Sequence, residues 1–228
     1  MNTIDINTQK GFASQEVSSV LQTDLFSGNL FMFGDIGSGR LVAVMSIIDQ
    51  LIADGRSVLS IDCNSEINSF INPLGGINIS SKGFSPDSYD FVEFNVTYNS
   101  TDTNKIREFL TSLHTSPTLR YQYIIIDNVE LLFSSFTTEE LAVWISKLNE
   151  SQMYLISTSV SPYITKAVEL YFENVLAFRS LLITETHTLD SGEAILKTSG
   201  VWQDHKVRFV PLAEEWLRFS LSGPNYRK

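Results

Sequence analysis

Chemistry in this chain concentrates in the run Phe33-Gly34-Asp35-Ile36-Gly37-Ser38-Gly39-Arg40-Leu41. Its spacing is that of the phosphate-binding loop G-x-x-x-x-G-K-[ST]. In such a loop, backbone N–H groups at a helix N-terminus cradle phosphates, and Gly34, Gly37, Ser38 and Gly39 would form that cradle. The motif's lysine reaches the outer phosphates and its hydroxyl binds Mg²⁺. Here Arg40 keeps the charge on a larger, planar fork. Leu41 offers a metal no oxygen. The same residues also read as a glycine-rich strand-to-helix turn that holds no ligand. A second group, Asp127, closes the apolar run Ile124-Ile125-Ile126. It has the form of a Walker B segment, whose Asp holds the Mg²⁺ shell. A core strand ending in a capping Asp reads the same way. Asp62 or Glu66 stands where a hydrolase would orient water, and either is equally a solvated loop acid. Cys63 reads as a small buried apolar residue rather than a nucleophile. His114, His187 and His205 are too scattered for metal ligation. No catalytic residue and no metal site is assigned.

These groups need a strand before the loop and a helix after it. Asn29–Phe33 supplies the strand. Leu41, Val44, Met45, Ile48, Leu51 and Ile52 recur at helical spacing up to Asp54-Gly55. Ser57–Asp62 is the next strand, which completes a βαβ unit. Residues 72–90 read as loop and Tyr89–Val96 as strand. Residues 101–114 read as a helix capped by Ser100 or Asp102. Tyr121–Ile126 is a central parallel strand. Thr137–Asn149 is a helix, Met153–Ile156 a strand and 163–172 a helix. Further strands are expected over Val175–Phe178, Leu181–Thr186, Ala194–Thr198, Lys206–Val210 and Trp216–Leu221, with turns at 190–192 and around Gly200. Residues 1–23 read as an arm or short first helix, ahead of one core over 24–228. The expected fold is α/β, a mostly parallel sheet with helices on both faces and a β-rich C-terminal edge.

The 228 residues carry a net charge of −10, with 43% apolar and 18% charged side chains, as expected of one folded domain. The acidic balance argues against a broad basic face for nucleic acid. Lys197, Lys206, Arg208 and Arg218, with Trp202, Phe209 and Trp216 among them, offer a local exception. Lys206 and Arg208 are its candidate DNA contacts. Strand alternation would instead put the charges on a solvated face and the aromatics in the core. The single cysteine excludes an internal disulfide and suits a reducing compartment. No secretory leader and no apolar run of about 18 residues is found, so a soluble intracellular protein without a membrane partner is expected.

Together the motifs resemble the RecA-like recombinase superfamily, and within it the small eukaryotic recombinase paralogues. Phe26–Gly39 is similar to the family's leading strand and loop, Ser57–Asp62 to its next strand and Ile124–Asp127 to its Walker B. Tyr154-Leu155-Ile156-Ser157-Thr158-Ser159 is similar to its nucleotide-sensor strand, and 194–209 to its closing hairpins. The departures are Arg40, Leu41, Asn64 at the catalytic Glu position and Ser159 at the sensor Gln position. Asp127 is retained. The stretch matching the family's DNA-binding loop, between Ser159 and Asn174, has Lys166 as its single basic residue. The resemblance implies a RecA-like P-loop fold with a vestigial site at Gly34, Gly37, Ser38, Gly39, Arg40 and Asp127, where ATP is a doubtful cofactor. It further implies a non-catalytic nuclear subunit that promotes recombinase filament assembly in homologous-recombination repair. As in Shu-type complexes, its partners would be other RecA-like paralogues and a SWIM-type zinc protein, in a hetero-oligomer that touches DNA within the complex. Two alternatives stand beside it: a weak P-loop ATPase acting in a complex, and a RecA-like subunit of the Elongator accessory ring.

Overall fold

A computed structural model describes residues 3–6, 28–61, 77–80, 96–99, 102–115, 121–160, 171–183, 185–198 and 201–209. Strand β1 is Thr3–Ile6, β2 Leu30–Phe33, β3 Val58–Ile61, β4 Ile77–Ser80 and β5 Val96–Asn99. They continue as β6 Tyr123–Ile126, β7 Tyr154–Ser159, β8 Asn174–Phe178, β9 Glu193–Thr198 and β10 Val201–Phe209. The helices are α1 Arg40–Ala53, α2 Thr103–Thr115, α3 Glu130–Ser135 and α4 Thr138–Glu150.

The strands form one ten-stranded sheet in the order β1-β10-β9-β8-β2-β7-β6-β3-β5-β4. Among these strands β9 alone runs against the rest. The glycine-loop strand β2 lies between β7 and β8, and β7 separates it from β6. Both faces are buried, which explains why the central strands read as unbroken apolar runs. Alternation along β2 sends Leu30 and Met32 to the face under α1. Phe31 and Phe33 go to the face under α2, α3 and α4. Each amphipathic helix covers its face with the stripe its spacing defines: Val44, Ile48 and Leu51 on α1, and Ile106, Leu110, Leu141 and Leu148 on α2 and α4. Helix α4 starts with a capping box in which Thr137 and Glu140 satisfy each other's backbone N–H. Asp102 accepts from Asn104 N at 3.0 Å, so it caps α2.

Several expectations are corrected. The first residues contribute strand β1, paired in parallel with β10, where an arm or helix was expected; the Val17–Leu21 segment lies outside the described residues. Strand β4 occupies part of 72–90, read as loop. The expected strand over Tyr89–Val96 is described only from Val96, where β5 runs on to Asn99. Leu181–Thr186 is not a strand: its described residues form turns, with Ile183 N bonded to Ser180 O and Thr186 N to Ile183 O. Helix α3 was not expected. The 163–172 helix falls largely, and the Trp216–Leu221 strand wholly, outside the described residues. No described helix is long and apolar enough to cross a membrane.

Candidate functional site

The glycine loop leaves the carboxyl end of β2, where open α/β sheets place ligands. Gly34 N donates to Ser159 O of β7 at 3.3 Å, and Asp35 N to Arg179 O beyond β8 at 3.0 Å. A Cβ on Gly34 would stand 2.6 Å from Phe178 Cβ and 2.7 Å from Ser38 Oγ, so no side chain fits there. Gly37 and Gly39 have φ of 79° and 91°, conformations that glycine reaches without strain. The loop's carbonyls are engaged away from its mouth. Ser38 N donates to Asp35 O at 3.0 Å, Gly192 N to Ser38 O at 2.8 Å and Ala43 N to Gly39 O at 3.1 Å. Ser191 Oγ donates to Gly37 O at 3.1 Å. Among the described residues, the N–H groups of Gly37 and Gly39 meet no acceptor. The Gly34 and Ser38 N–H groups are spent within the fold, so half of the expected cradle's donors, those of Gly37 and Gly39, are available.

The groups for a metal are not. Leu41 stands in the hydroxyl position and packs against the apolar cluster beneath α1. Asp127, 6% exposed, lies on β6, two strands from β2. At about 4.8 Å per strand that is about 10 Å away. Its Oδ1 accepts from Thr158 Oγ1 at 2.6 Å, and the same Oγ1 accepts from Asn128 N at 3.1 Å. Asn128, at φ 86°, turns the chain into α3. Mg²⁺ demands an octahedral set of oxygens; here one ligand is aliphatic and the other carboxylate is already bonded. The residues present do not fit the ion. No described group of three His, Cys, Asp or Glu could hold a metal.

Sequence reasoning missed Glu130. Its Oε1 accepts from Ser159 Oγ at 2.6 Å, and its Oε2 is buried without a hydrogen-bond partner. Hydroxyls of β7 thus hold both acids of the β6–α3 elbow. An Asp-x-x-Glu spacing was the available signal, and it means nothing until the elbow folds. Arg40 is half-buried at the start of α1. Asp62, Cys63, Asn64, Glu66 and Lys166 lie outside the described residues.

Lys206 and Arg208 share one face of β10, while Val207 and Phe209 enter the core. Arg208 is exposed. Lys206 Nζ donates to Glu193 Oε2 at 3.3 Å, which also accepts from Asp190 N at 3.2 Å. Burial pushes the Glu193 carboxyl up; the Asp190 N–H and Lys206 outweigh it and hold its pKa below the ordinary value. A lowered carboxylate pKa contributes stability above the unfolded-state value and loses it as pH falls through the folded one. Lys206→Met is expected to cost about 1–2 kcal/mol at neutral pH. The gap to wild type should close below the carboxylate range. Urea melts across pH check this, and a constant gap would show that Glu193 is not involved.

No family model matches the sequence, and no curated protein matches it. Solved structures do. The genome packaging NTPase B204 of Sulfolobus turreted icosahedral virus 2, in complex with AMPPCP, superposes with a TM-score of 0.62 at 16% identity, over 82% of this chain and 99% of that one. The DNA-packaging ATPase B204 of Sulfolobus turreted icosahedral virus gives 0.62 at 13% identity, over 82% and 98%. The cytoplasmic domain of the Thermomonospora curvata Type VII secretion ATPase EccC gives 0.50 at 12% identity, over 82% of this chain and 24% of that one. At these identities the likeness establishes the fold, and the fold is that of P-loop NTPases.

Proposed function

We propose that this chain is a P-loop-fold subunit without hydrolytic activity, working beside other P-loop subunits in a DNA-handling assembly. One observation carries the reading: of the two groups that would hold the metal, Leu41 offers no oxygen and packs on the core, and Asp127 is bonded to Thr158. Phosphoryl transfer depends on positioned charge and metal, so a loop that keeps the Arg40 charge without a group placed to hold the metal turns over little or not at all. The motif resemblance gives the finer form, an accessory recombinase paralogue that supports filament assembly in homologous-recombination repair in the nucleus, with RecA-like and SWIM-type partners. The fold shared with a packaging NTPase is compatible with that class of work on DNA.

A second reading, a weak ATPase, is favoured by Glu130, whose buried Oε2 lacks a hydrogen-bond partner. The two separate on nucleotide linkage. With millimolar ATP, the expected thermal midpoint is the same in Mg²⁺ and in EDTA, and no phosphate is released above the protein-free rate. Asp127→Ala leaves this unchanged. A Mg²⁺-dependent rise that Asp127→Ala removes would establish the ATPase reading and overturn the first.

A further inference from the structure

Beyond the loop's chemistry lies its rim. Ile36, at the tip of the loop, is 90% exposed, and Leu181 and Leu182, just past β8, are 82% and 61% exposed. Val160, one residue past β7, is 47% exposed. Strands β8, β2 and β7 are consecutive in the sheet, so these side chains occupy one edge. Single exposed leucines on a surface need no explanation, whereas a cluster of them does.

This cluster is held in place by polar groups. The Asp35 carboxylate accepts from Leu181 N at 2.9 Å and from Ser180 Oγ at 3.3 Å. The turns that follow are fixed by their own bonds, His187 N to Ile183 O at 3.1 Å and Leu189 N to Thr186 O at 3.1 Å. Thr186 and Leu189 are buried beneath. A loop anchored from below that keeps its leucines in water presents a surface made in advance of a partner, which lowers the ordering cost of binding.

Charge selects the partner. Arg179 and Arg40 border the patch, against the Asp35 carboxylate and the exposed Glu185 and Asp190, and no further Lys or Arg occurs from Ser180 to Leu196. The whole chain carries −10. With the chain's negative charge behind it, such a rim disfavours nucleic acid and anionic lipid, and among its described residues there is no exposed aromatic for base stacking. We propose that Ile36, Leu181 and Leu182 are the docking surface for a partner protein segment that carries aliphatic side chains flanked by lysine or arginine. Asp35 is the positioning residue that aligns the loop tip with the two leucines. This rests on the reading of the chain as a subunit and needs no nucleotide.

The test uses the full chain and short fluorescent peptides carrying a leucine pair flanked by lysine and arginine, by aspartate and glutamate, or by serine, read by anisotropy. The basic peptide binds tightest. Leu181→Ser with Leu182→Ser weakens it at least about tenfold. Val143→Ser, at an exposed apolar position on α4, leaves it unchanged. Asp35→Ala weakens it, and Asp35→Asn, which keeps an acceptor for Leu181 N, restores most of the loss. Equal binding by the leucine double variant, or preference for the acidic or serine peptide, overturns the proposal. So does binding of a single-stranded oligonucleotide at this rim. A fall of several degrees in the double variant's melting point also overturns it, because the leucines would then be covered by the chain itself. Failure of the peptide test leaves the Mg²⁺ comparison standing, and failure of that comparison leaves the peptide result standing.

Discussion

Replacing Gly39 by valine is expected to lower the thermal midpoint by roughly 6–12 °C, or about 3 kcal/mol in a chain of this size. Two costs combine. The residue sits at φ 91°, a left-handed conformation that costs a β-branched side chain about 1–3 kcal/mol. A Cβ there would also stand 2.4 Å from Gly192 N and 2.6 Å from Gly192 Cα. That neighbour cannot retreat, because Gly192 N donates to Ser38 O and Gly192 O accepts from Phe209 N, each at 2.8 Å. Overpacking of this kind adds about 1–3 kcal/mol. Gly37→Ala is the control. Gly37 has a similar φ of 79° but meets nothing within 4 Å, so only the conformational cost remains, about 1 kcal/mol. Calorimetry of the two variants decides it, and equal shifts would show that the contact with Gly192 is not restrictive. The larger loss at Gly39 gives that glycine a packing role, whether or not a phosphate ever enters the loop.

The second large effect is expected at Thr158. Thr158→Val keeps the shape and removes the hydroxyl that donates to Asp127 Oδ1 at 2.6 Å and accepts from Asn128 N at 3.1 Å. A carboxylate and an N–H then lose their bonds at a position 0% exposed, at a cost of about 2–4 kcal/mol. With Asp127→Ala the two changes should couple by about 1.5 kcal/mol or more, since the double variant has no orphaned carboxylate. Ser159→Ala, facing the partly exposed Glu130, should cost about 1 kcal/mol. Urea denaturation of the four proteins of the cycle provides the check. Additive losses would mean that Thr158 and Asp127 act independently.

Much of this architecture was legible because it is local. Ile124-Ile125-Ile126 reads as a doubly covered strand from composition alone, and the stripes of α1, α2 and α4 follow from spacing. The glycines mark the loop because their φ values admit little else. What was hidden depends on contacts between residues distant in sequence. Thr158 meets Asp127 across 31 positions, and no periodicity encodes the register that joins them. Leu181-Leu182-Ile183 has strand composition, yet local turns and the Asp35 carboxylate, 146 positions away, hold it out of the sheet. Helix α3 has six residues, too few for a recurring apolar stripe. The departures at Arg40 and Leu41 were visible from the start. Their meaning depends on the packing of Leu41 on the core and the bonding of Asp127 within the fold.

The pairing of β1 with β10, Thr3 opposite Lys206, sets the order in which the sheet can be completed as the chain is synthesised. The first described strand waits for the last described one, and β2 waits for β7, Leu30 opposite Ile156. Until then the glycine loop has no neighbour on either side. Among the strands made before β7, the β4–β5 pair, Ile77 opposite Val96, and the β3–β5 pair, Leu59 opposite Val96, close the shorter spans and are the natural places for pairing to begin. A ribosome stalled before residue 150 would therefore display β3, β5 and β4 paired while the strand that carries the loop remains without β7 and β8.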